Sequence, residues 1–216
     1  MNRTRTIVWL IPALLWGSFA FWYTNTGGPL TDEEIASYLA RMESVGRREG
    51  AQPGDQALSL AQLKEFMESD TGNSLIMVNL LDLAENPPPI PGAPKDLTAR
   101  DMLDHYMEFM YPELLSRASH PIYAGRAIAP AMDLSGIEGA ENWTTGALLR
   151  YRGRRDLLEI ATNPLFYERH DFKMAALTKT IAFPVESMLY YADPRFILAL
   201  LLFSITALID LFLLKR

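Results

Sequence analysis

Two long apolar stretches, one near each end of the chain, constrain the fold more than any other feature. Residues 7–23 carry no charged side chain, and residues 196–214 carry only Asp210. A helix that crosses a membrane needs about 20 mostly apolar residues, so both stretches are long enough to span one. The second has the clearer start, because Asp193 and Pro194 provide a helix N-cap and a first-turn proline. The sequence therefore predicts two transmembrane helices.

The first apolar stretch has a second interpretation, as a signal peptide that is removed. Arg3 and Arg5 would form the basic region of such a peptide, and residues 18–20 loosely resemble a cleavage site. The bulky side chains of Phe21 and Trp22 follow that site directly, which favours an anchor that is kept.

Charged and aromatic residues next to the two stretches predict their orientation. Basic residues prefer the cytoplasmic side of a membrane, and here they precede the first stretch (Arg3, Arg5) and follow the second (Lys215, Arg216). We therefore expect both termini in the cytoplasm and the main domain in the periplasm, with the helices in a bacterial inner membrane. Aromatic residues typical of a membrane interface lie at the matching outer ends: Trp22, Tyr23, Tyr190 and Tyr191.

Asp210 is the one carboxylate within the second stretch, and carboxylates inside membranes often have a function in proton or ion movement. It lies little more than one helical turn before Lys215, so it is also placed to reach water at the inner interface. Both interpretations of Asp210 remain open at this stage.

The charge of the region between the helices excludes one class of function. The chain of 216 residues has a net charge of -6, but residues 24–195 alone contain 16 basic and 25 acidic side chains, a net charge of -9. A nucleic-acid binder needs a basic surface for the phosphates, so no nucleic-acid partner is expected. The chain has no cysteine, which excludes thiolate catalysis, disulfides and metal sites held by cysteine.

Composition shifts and helix start signals divide the chain further. Capping boxes begin two helices of an extension outside the cytoplasm, at Thr31 and at Ser59. The predicted segments are, in chain order, a cytoplasmic tip (residues 1–6), a membrane helix (7–23), a helical extension (24–73), a main domain (74–190), a second membrane helix (194–214) and a cytoplasmic tip (215–216).

The sequence of the main domain predicts, in order, a strand, a helix, two strands, a helical region and a last strand. Residues 75–83 are apolar on both faces, as in a central strand, whereas prolines in or around residues 121–130 and 180–188 favour edge strands. The remaining elements are a helix at residues 98–118 that Pro112 is expected to kink or break, a strand at 143–152, and helices at 154–162 and 164–177. This order predicts an α+β fold of the ferredoxin-like βαββαβ type, with an antiparallel sheet, helices on one face, and the other face open to a second copy.

Several short sequences in this domain resemble a known family. They are residues 77–81 (MVNLL), 123–126 (YAGR), 148–151 (LLRY) after Trp143, 163–167 (NPLFY) and 175–178 (AALT). Residues 74–188 resemble a small bacterial domain family of unknown function, within the dimeric α+β-barrel superfamily. The resemblance implies that two ferredoxin-like sheets pair face to face, as in a homodimer.

The same resemblance implies a haem-binding alternative. Haem-degrading members of the superfamily carry an asparagine on the first strand and a haem-ligating histidine late in the second helical region, and Asn79 and His170 stand at these positions. A family tryptophan falls at Ile160 here, and residues 168–171 (ERHD) are also typical of a solvated helix face. No cofactor is predicted from the residues themselves, and haem at His170 is kept as an alternative.

Two arginines are unusual because they lie within predicted strands. Arg126 and Arg150 could form a structural ion-pair cluster with Glu186 inside a barrel, or an arginine fork could bind an anionic ligand. The weak catalytic candidates are therefore Asn79, Arg126, Arg150 and His170. The chain's three histidines show no metal-binding spacing, so no metal site is predicted.

Two functions from different classes remain. The first is a membrane-anchored accessory or assembly subunit of a larger respiratory, photosynthetic or oxidative complex, in contact with lipid and with other membrane-protein subunits or a second copy. The second is a membrane-tethered enzyme of the dimeric α+β-barrel class, monooxygenase-like or haem-binding. The sequence lacks a convincing catalytic constellation, which favours the first.

Overall fold

The computed structural model describes residues 3–45, 59–94 and 96–213 of the chain. They form two compact units, one from Met1–Thr26 with Ser187–Arg216 and the other from Gly27–Glu186. The predicted cytoplasmic residues Lys215 and Arg216 lie outside the described residues.

The first unit is a pair of helices, α1 (Arg3–Tyr23) and α7 (Pro194–Leu213). Each is long and apolar enough to cross a membrane, in agreement with the sequence. The helices touch along their length: Trp9 lies 5.7 Å from Phe203 between ring centroids, and Trp16 Nε1 donates a hydrogen bond of 2.9 Å to the Arg195 carbonyl. Arg195 also contacts Asp193, the hydroxyl of Thr24 and the ring of Tyr23, so the two helices are joined by polar contacts at this end.

The second unit is built on a four-stranded sheet of β1 (Leu75–Leu83), β2 (His120–Arg126), β3 (Thr145–Tyr151) and β4 (Leu177–Glu186). All neighbours are antiparallel, and the spatial order is β2-β3-β1-β4. The predicted central position of β1 and the predicted edge positions of the two proline-containing strands are confirmed. Leu75, the first residue of β1, pairs with Glu186, the last residue of β4.

Helices α4 (Ala99–Ser116), α5 (Arg154–Ala161) and α6 (Pro164–Ala175) complete the ferredoxin-like arrangement. Their core contacts with the sheet centre on Leu75, Tyr106, Met110 and Tyr151. The expected break at Pro112 does not occur, because α4 continues through it to Ser116. Pro112 and the preceding turn at Glu108 are exposed, so water can replace the hydrogen bond that the proline ring removes.

The helical extension belongs to the same unit and packs on α5. Its helices are α2 (Asp32–Val45) and α3 (Leu60–Glu68), and both capping boxes form as predicted. Their apolar faces meet α5 in one cluster: Leu30, Ile35, Tyr38, Met67 and Leu158. A bidentate ion pair joins the two layers, with Arg155 Nε 2.6 Å and Nη2 3.0 Å from the Glu34 carboxylate oxygens. These hydrogen bonds lower the pKa of Glu34 to about 2.

Candidate functional site

The strand pairing separates the sheet into two faces with different neighbours. Leu75 and Met77 of β1 pack with α4, so the alternate residues that share their side form the helix-covered face. Ile76, Val78 and Leu80 point to the opposite side, which we call the open face. Every partner of these residues in β2, β3 and β4 lies on the same face as the residue it pairs with.

The open face is apolar through its centre. Val78 pairs with Leu148 and Phe183, and Leu148 pairs with Tyr123, so one row of large apolar side chains crosses the sheet. Phe183 retains 45% and Tyr123 58% of its surface exposed. At one end of the face, Asp82 pairs with Lys179, so opposite charges stand side by side. The candidate contact surface is therefore apolar at its centre and neutral at this end.

Arg150 has a structural position on the open face. It pairs with Ile76 and His120, is only 2% exposed, and Nη1 donates a hydrogen bond of 2.8 Å to the Ala118 carbonyl. Ala118 has a positive φ of 51°, so the arginine holds the turn that precedes β2. Arg150 therefore has a structural role, because its hydrogen bond fixes a strained turn.

The structure does not bring Arg126, Arg150 and Glu186 together. Arg126 pairs with Thr145, on the face opposite to Arg150, and its side chain is exposed. Glu186 also lies on the opposite face from Arg150, because it pairs with Leu75. Successive strand residues alternate between faces, so the expected polar cluster of these three residues is not formed.

The partner of Glu186 is Arg154, which the sequence did not reveal. Arg154 Nη2 lies 3.3 Å from Glu186 and Nε lies 3.5 Å from the buried carboxylate of Asp70. The same guanidinium contacts the Phe66 carbonyl and lies 4.6 Å from the ring centroid of Phe66. This cluster joins α3, α5 and β4, and sequence reasoning could not find it because its members are separated along the chain.

A row of small residues crosses the helix-covered face at Asn79. Asn79 pairs with Ala147 and Ala182, and Ala147 pairs in turn with Ala124. The Asn79 amide is buried and donates a hydrogen bond of 3.0 Å to the Met77 carbonyl of its own strand. Ala147 is partly buried, whereas Ala124 and Ala182, on the two edge strands, are exposed.

Titratable and aromatic side chains from α4 and α6 meet above this face. Phe166, His170 and Lys173 follow each other at helical spacing on α6, and all three approach α4 at Tyr106. The centroid of Tyr106 lies 6.1 Å from that of His170 and 5.7 Å from Lys173 Nζ. Burial raises the pKa of Tyr106 and lowers the pKa of Lys173 to about 8. The spacing of four and then three residues in the sequence was the signal that could have placed Lys173 beside His170.

The contacts of Asn79 and His170 do not fit a haem site. The His170 ring stacks on Phe166 at 5.1 Å between centroids, and the Asn79 amide nitrogen donates a hydrogen bond to the Met77 carbonyl of its own strand. Ile160, where the family tryptophan would stand, is buried in the core. Haem binding at His170 stays a prediction, and the described residues hold no group of three side chains suited to a metal ion.

The four predicted interface aromatics have different surroundings. Trp22 and Tyr191 are exposed, as a membrane interface requires, and Tyr190 is partly exposed. Tyr23 is buried instead, stacked on Phe19 and lying under the Arg195 guanidinium. Its aromatic ring therefore serves the contact between α1 and α7.

Comparison with known proteins identifies a fold and no activity. No family model and no curated protein matches the chain. A crystal structure of a protein of unknown function from Rhodopseudomonas palustris covers 64% of this chain and 100% of its own length, with 15% identity and a TM-score of 0.52. A methylated form of that protein covers 65% and 98%, with 16% identity and the same TM-score of 0.52.

A dimeric ferredoxin-like protein of unknown function from Jannaschia sp. CCS1 also matches. It has 16% identity and a TM-score of 0.33, and covers 53% of this chain and 100% of its own length. By the first of these comparisons the chain is similar, in fold alone, to the Rhodopseudomonas palustris protein of unknown function, and two apolar helices flank this fold in the sequence.

Proposed function

We propose that this chain is a membrane-anchored accessory or assembly subunit of a larger membrane protein complex. In this proposal α1 and α7 cross a bacterial inner membrane, both termini lie in the cytoplasm, and the ferredoxin-like unit lies in the periplasm. The observation that carries the proposal is the apolar open face of the sheet, through which two copies of the domain would contact each other.

The surface of the two terminal helices supports the anchor. Large apolar side chains remain exposed along both helices, among them Leu14 at 61% and Phe212 at 71%. Contiguous apolar surface of this kind is unfavourable in water and favourable in lipid. The contacts between α1 and α7 also give the N-terminal helix a structural role, which argues against its removal as a signal peptide.

The face of the sheet is suited to contact with another protein chain, whereas its edges are not. The row through Tyr123, Leu148, Val78 and Phe183 is apolar, and it lies on the side of the sheet opposite to the face that packs on α4. Exposed apolar patches of this type mark interaction sites. Both edge strands contain a proline, Pro121 in β2 and Pro184 in β4, and proline lacks the N–H that edge-to-edge pairing requires.

We propose that the open face packs against the open face of a second copy of the chain. The centre is apolar and its charged end carries one Asp82 and one Lys179, so two copies brought face to face do not repel each other. The chain would then enter its complex as a dimer, with one anchor from each copy. Burial of Phe183 and Tyr123 against the partner sheet would supply the apolar contact area.

The oligomeric state of the full chain tests this contact. We expect native mass spectrometry from mild detergent to give a dimer for the wild type and a monomer for Phe183→Arg, because the new charge would be buried in the interface. Leu115→Arg is the matched control, since Leu115 is exposed on α4, away from the open face. A Phe183→Arg protein that remains dimeric would refute the proposed surface.

The subunit role needs a separate measurement in native membranes. Blue-native electrophoresis of the extracted wild-type chain should give a species heavier than the chain's own dimer, and Phe183→Arg should remove it. Wild-type chain that migrates only at the mass of its dimer would contradict membership in a larger complex while leaving the dimer intact.

A further inference from the structure

The ring of Tyr123 lies along its own strand on the open face. A Cβ atom added to Gly125 would come within 2.3 Å of the Tyr123 hydroxyl oxygen and 2.8 Å of the ring carbon Cζ. The ring can therefore lie over Gly125 only because that residue has no side chain. Tyr123 still exposes 58% of its surface, so the outer side of the ring is available to a partner.

The two halves of the open face differ in the size of their side chains. In the row beside Tyr123, Leu80 of β1 pairs with Ile181 of β4 on one side and with Gly146 of β3 on the other. Gly146 pairs in turn with Gly125 of β2. In this row the half formed by β1 and β4 carries two large apolar side chains, whereas the half formed by β2 and β3 carries only the ring that lies over Gly125.

Two-fold symmetry allows two ways of placing a second copy on this face. Most homodimers have a two-fold axis, and sheets that pack face to face usually keep their strands aligned to within about 30°. An axis along the strands places β4 over the partner's β2 and keeps each row opposite the same row. An axis across the strands places each strand over its own counterpart and exchanges the two ends of the face.

The charged end of the face favours the axis along the strands. Ile76 pairs with Val185 at the end opposite to Asp82 and Lys179. With an axis across the strands, this aliphatic pair would lie over the charged pair of the partner. Charged groups buried against aliphatic side chains are unfavourable. With an axis along the strands, the charged end of each copy lies over the charged end of the other, and the apolar rows meet apolar rows.

We propose that the two-fold axis runs along the strands and that Phe183 of each copy packs on the ring of the partner's Tyr123. This proposal rests on the open-face dimer proposed above. Ile181 then lies opposite the partner's Gly125, so the large side chains of one half meet the half that carries the glycines. Gly125 is a positioning residue in this arrangement, because it allows the ring of Tyr123 to lie along β2.

A photo-crosslinker at Phe183 tests the direction of the axis. Replacement of Phe183 by p-benzoylphenylalanine keeps an aromatic side chain at this position of the full chain. Adducts between copies run as covalent dimers in denaturing electrophoresis, and mass spectrometry of their peptides gives the attachment site. We expect attachment in β2, at residues 120–126. Attachment in β4, at residues 177–186, would indicate an axis across the strands and overturn the proposal.

The same crosslinker in place of Leu115 is the matched control. Leu115 is exposed on α4, away from the open face, so no covalent dimer should form. A wild-type chain that is dimeric by native mass spectrometry, with no adduct from Phe183 to β2, would refute this arrangement and leave the proposed dimer intact. A monomeric wild type would refute the dimer and this arrangement together.

Gly125→Ala tests the positioning role. The added methyl group displaces the end of the Tyr123 ring, which is exposed, so the thermal midpoint of the domain should change little. We expect the dimer to dissociate about tenfold more readily in a dilution series, because two aromatic contacts are lost in each dimer. In a Tyr123→Ala background the same change should have little further effect. An unchanged dissociation constant in Gly125→Ala would overturn the positioning role.

Discussion

Arg5 of α1 and Asp210 of α7 form an ion pair, with 2.5 Å between Nε and Oδ1. The two residues are 205 positions apart in the sequence, and they connect the two helices that are long enough to cross a membrane. Asp210 therefore has a structural partner that neutralises its charge. This favours a structural role for Asp210 over a role in a proton or ion pathway. Arg5 is also the residue that a signal peptide would use in its basic region, and its removal would leave Asp210 without this contact.

Loss of Arg5 alone should weaken the pairing of the helices. Because the natural chain has no cysteine, a Trp9→Cys and Phe203→Cys pair reports their proximity by disulfide formation. We expect less crosslink after Arg5→Leu, which leaves one charge unpaired, and recovery in Arg5→Leu with Asp210→Leu. Equal crosslinking in all three backgrounds would show that the ion pair does not contribute.

The proposed orientation predicts which reagents reach the domain. Met132 is 99% exposed in the loop between β2 and β3, so a cysteine placed there should react readily. A membrane-impermeant maleimide should label Met132→Cys in intact spheroplasts. Labelling that appears only after lysis would place the domain in the cytoplasm and reverse the predicted topology.

Acid should loosen the helical extension through Glu34. The ion pair with Arg155 lowers the folded pKa of Glu34 to about 2, below the usual value of 4.5, so the pair stabilises the fold fully above the unfolded pKa. This stability should be lost as the pH falls from about 4.5 towards 2. The protection factors of the α2 amides, which are corrected for the intrinsic exchange rate at each pH, should decrease over this range in the wild type and change less in Glu34→Gln. Identical pH profiles would exclude Glu34 as the cause.

Two adjacent leucines on α4 should differ sharply in their effect on stability. Leu114 is 0% exposed within the core and Leu115 is 57% exposed. We expect Leu114→Ala to lower the free energy of unfolding by about 2–5 kcal/mol, because it leaves a cavity. Leu115→Ala should change it by less than about 0.5 kcal/mol. Urea denaturation of both variants in the same detergent provides the comparison, and similar losses would contradict the packing described here.

Local sequence signals predicted the elements of this fold well. The capping boxes at Thr31 and Ser59 depend on residues three positions apart, and both form. Pro121 and Pro184 marked the edge strands correctly, because a missing N–H is a local property with a direct effect on strand pairing. Of the kink or break expected at Pro112, the break does not form, since the cost of a proline in a helix depends on whether the freed carbonyl reaches water.

The side-chain contacts were harder to predict, because they depend on register. The last strand was expected at residues 180–188, whereas β4 is Leu177–Glu186, and a displacement by one residue exchanges the two faces of a strand. Glu186 therefore could not be assigned to the face of Arg150 or to that of Arg154 from sequence. The pairing of Arg5 with Asp210, and the meeting of Lys173 with Tyr106, likewise needed the positions of whole helices.

The pairing of Leu75 with Glu186 has a consequence for the construction of the chain. The sheet begins and ends at the same place, so the polypeptide enters and leaves it side by side. A short loop that joins the end of β4 to the start of β1 would therefore give a circular permutant of the sheet with the same order of strands in space.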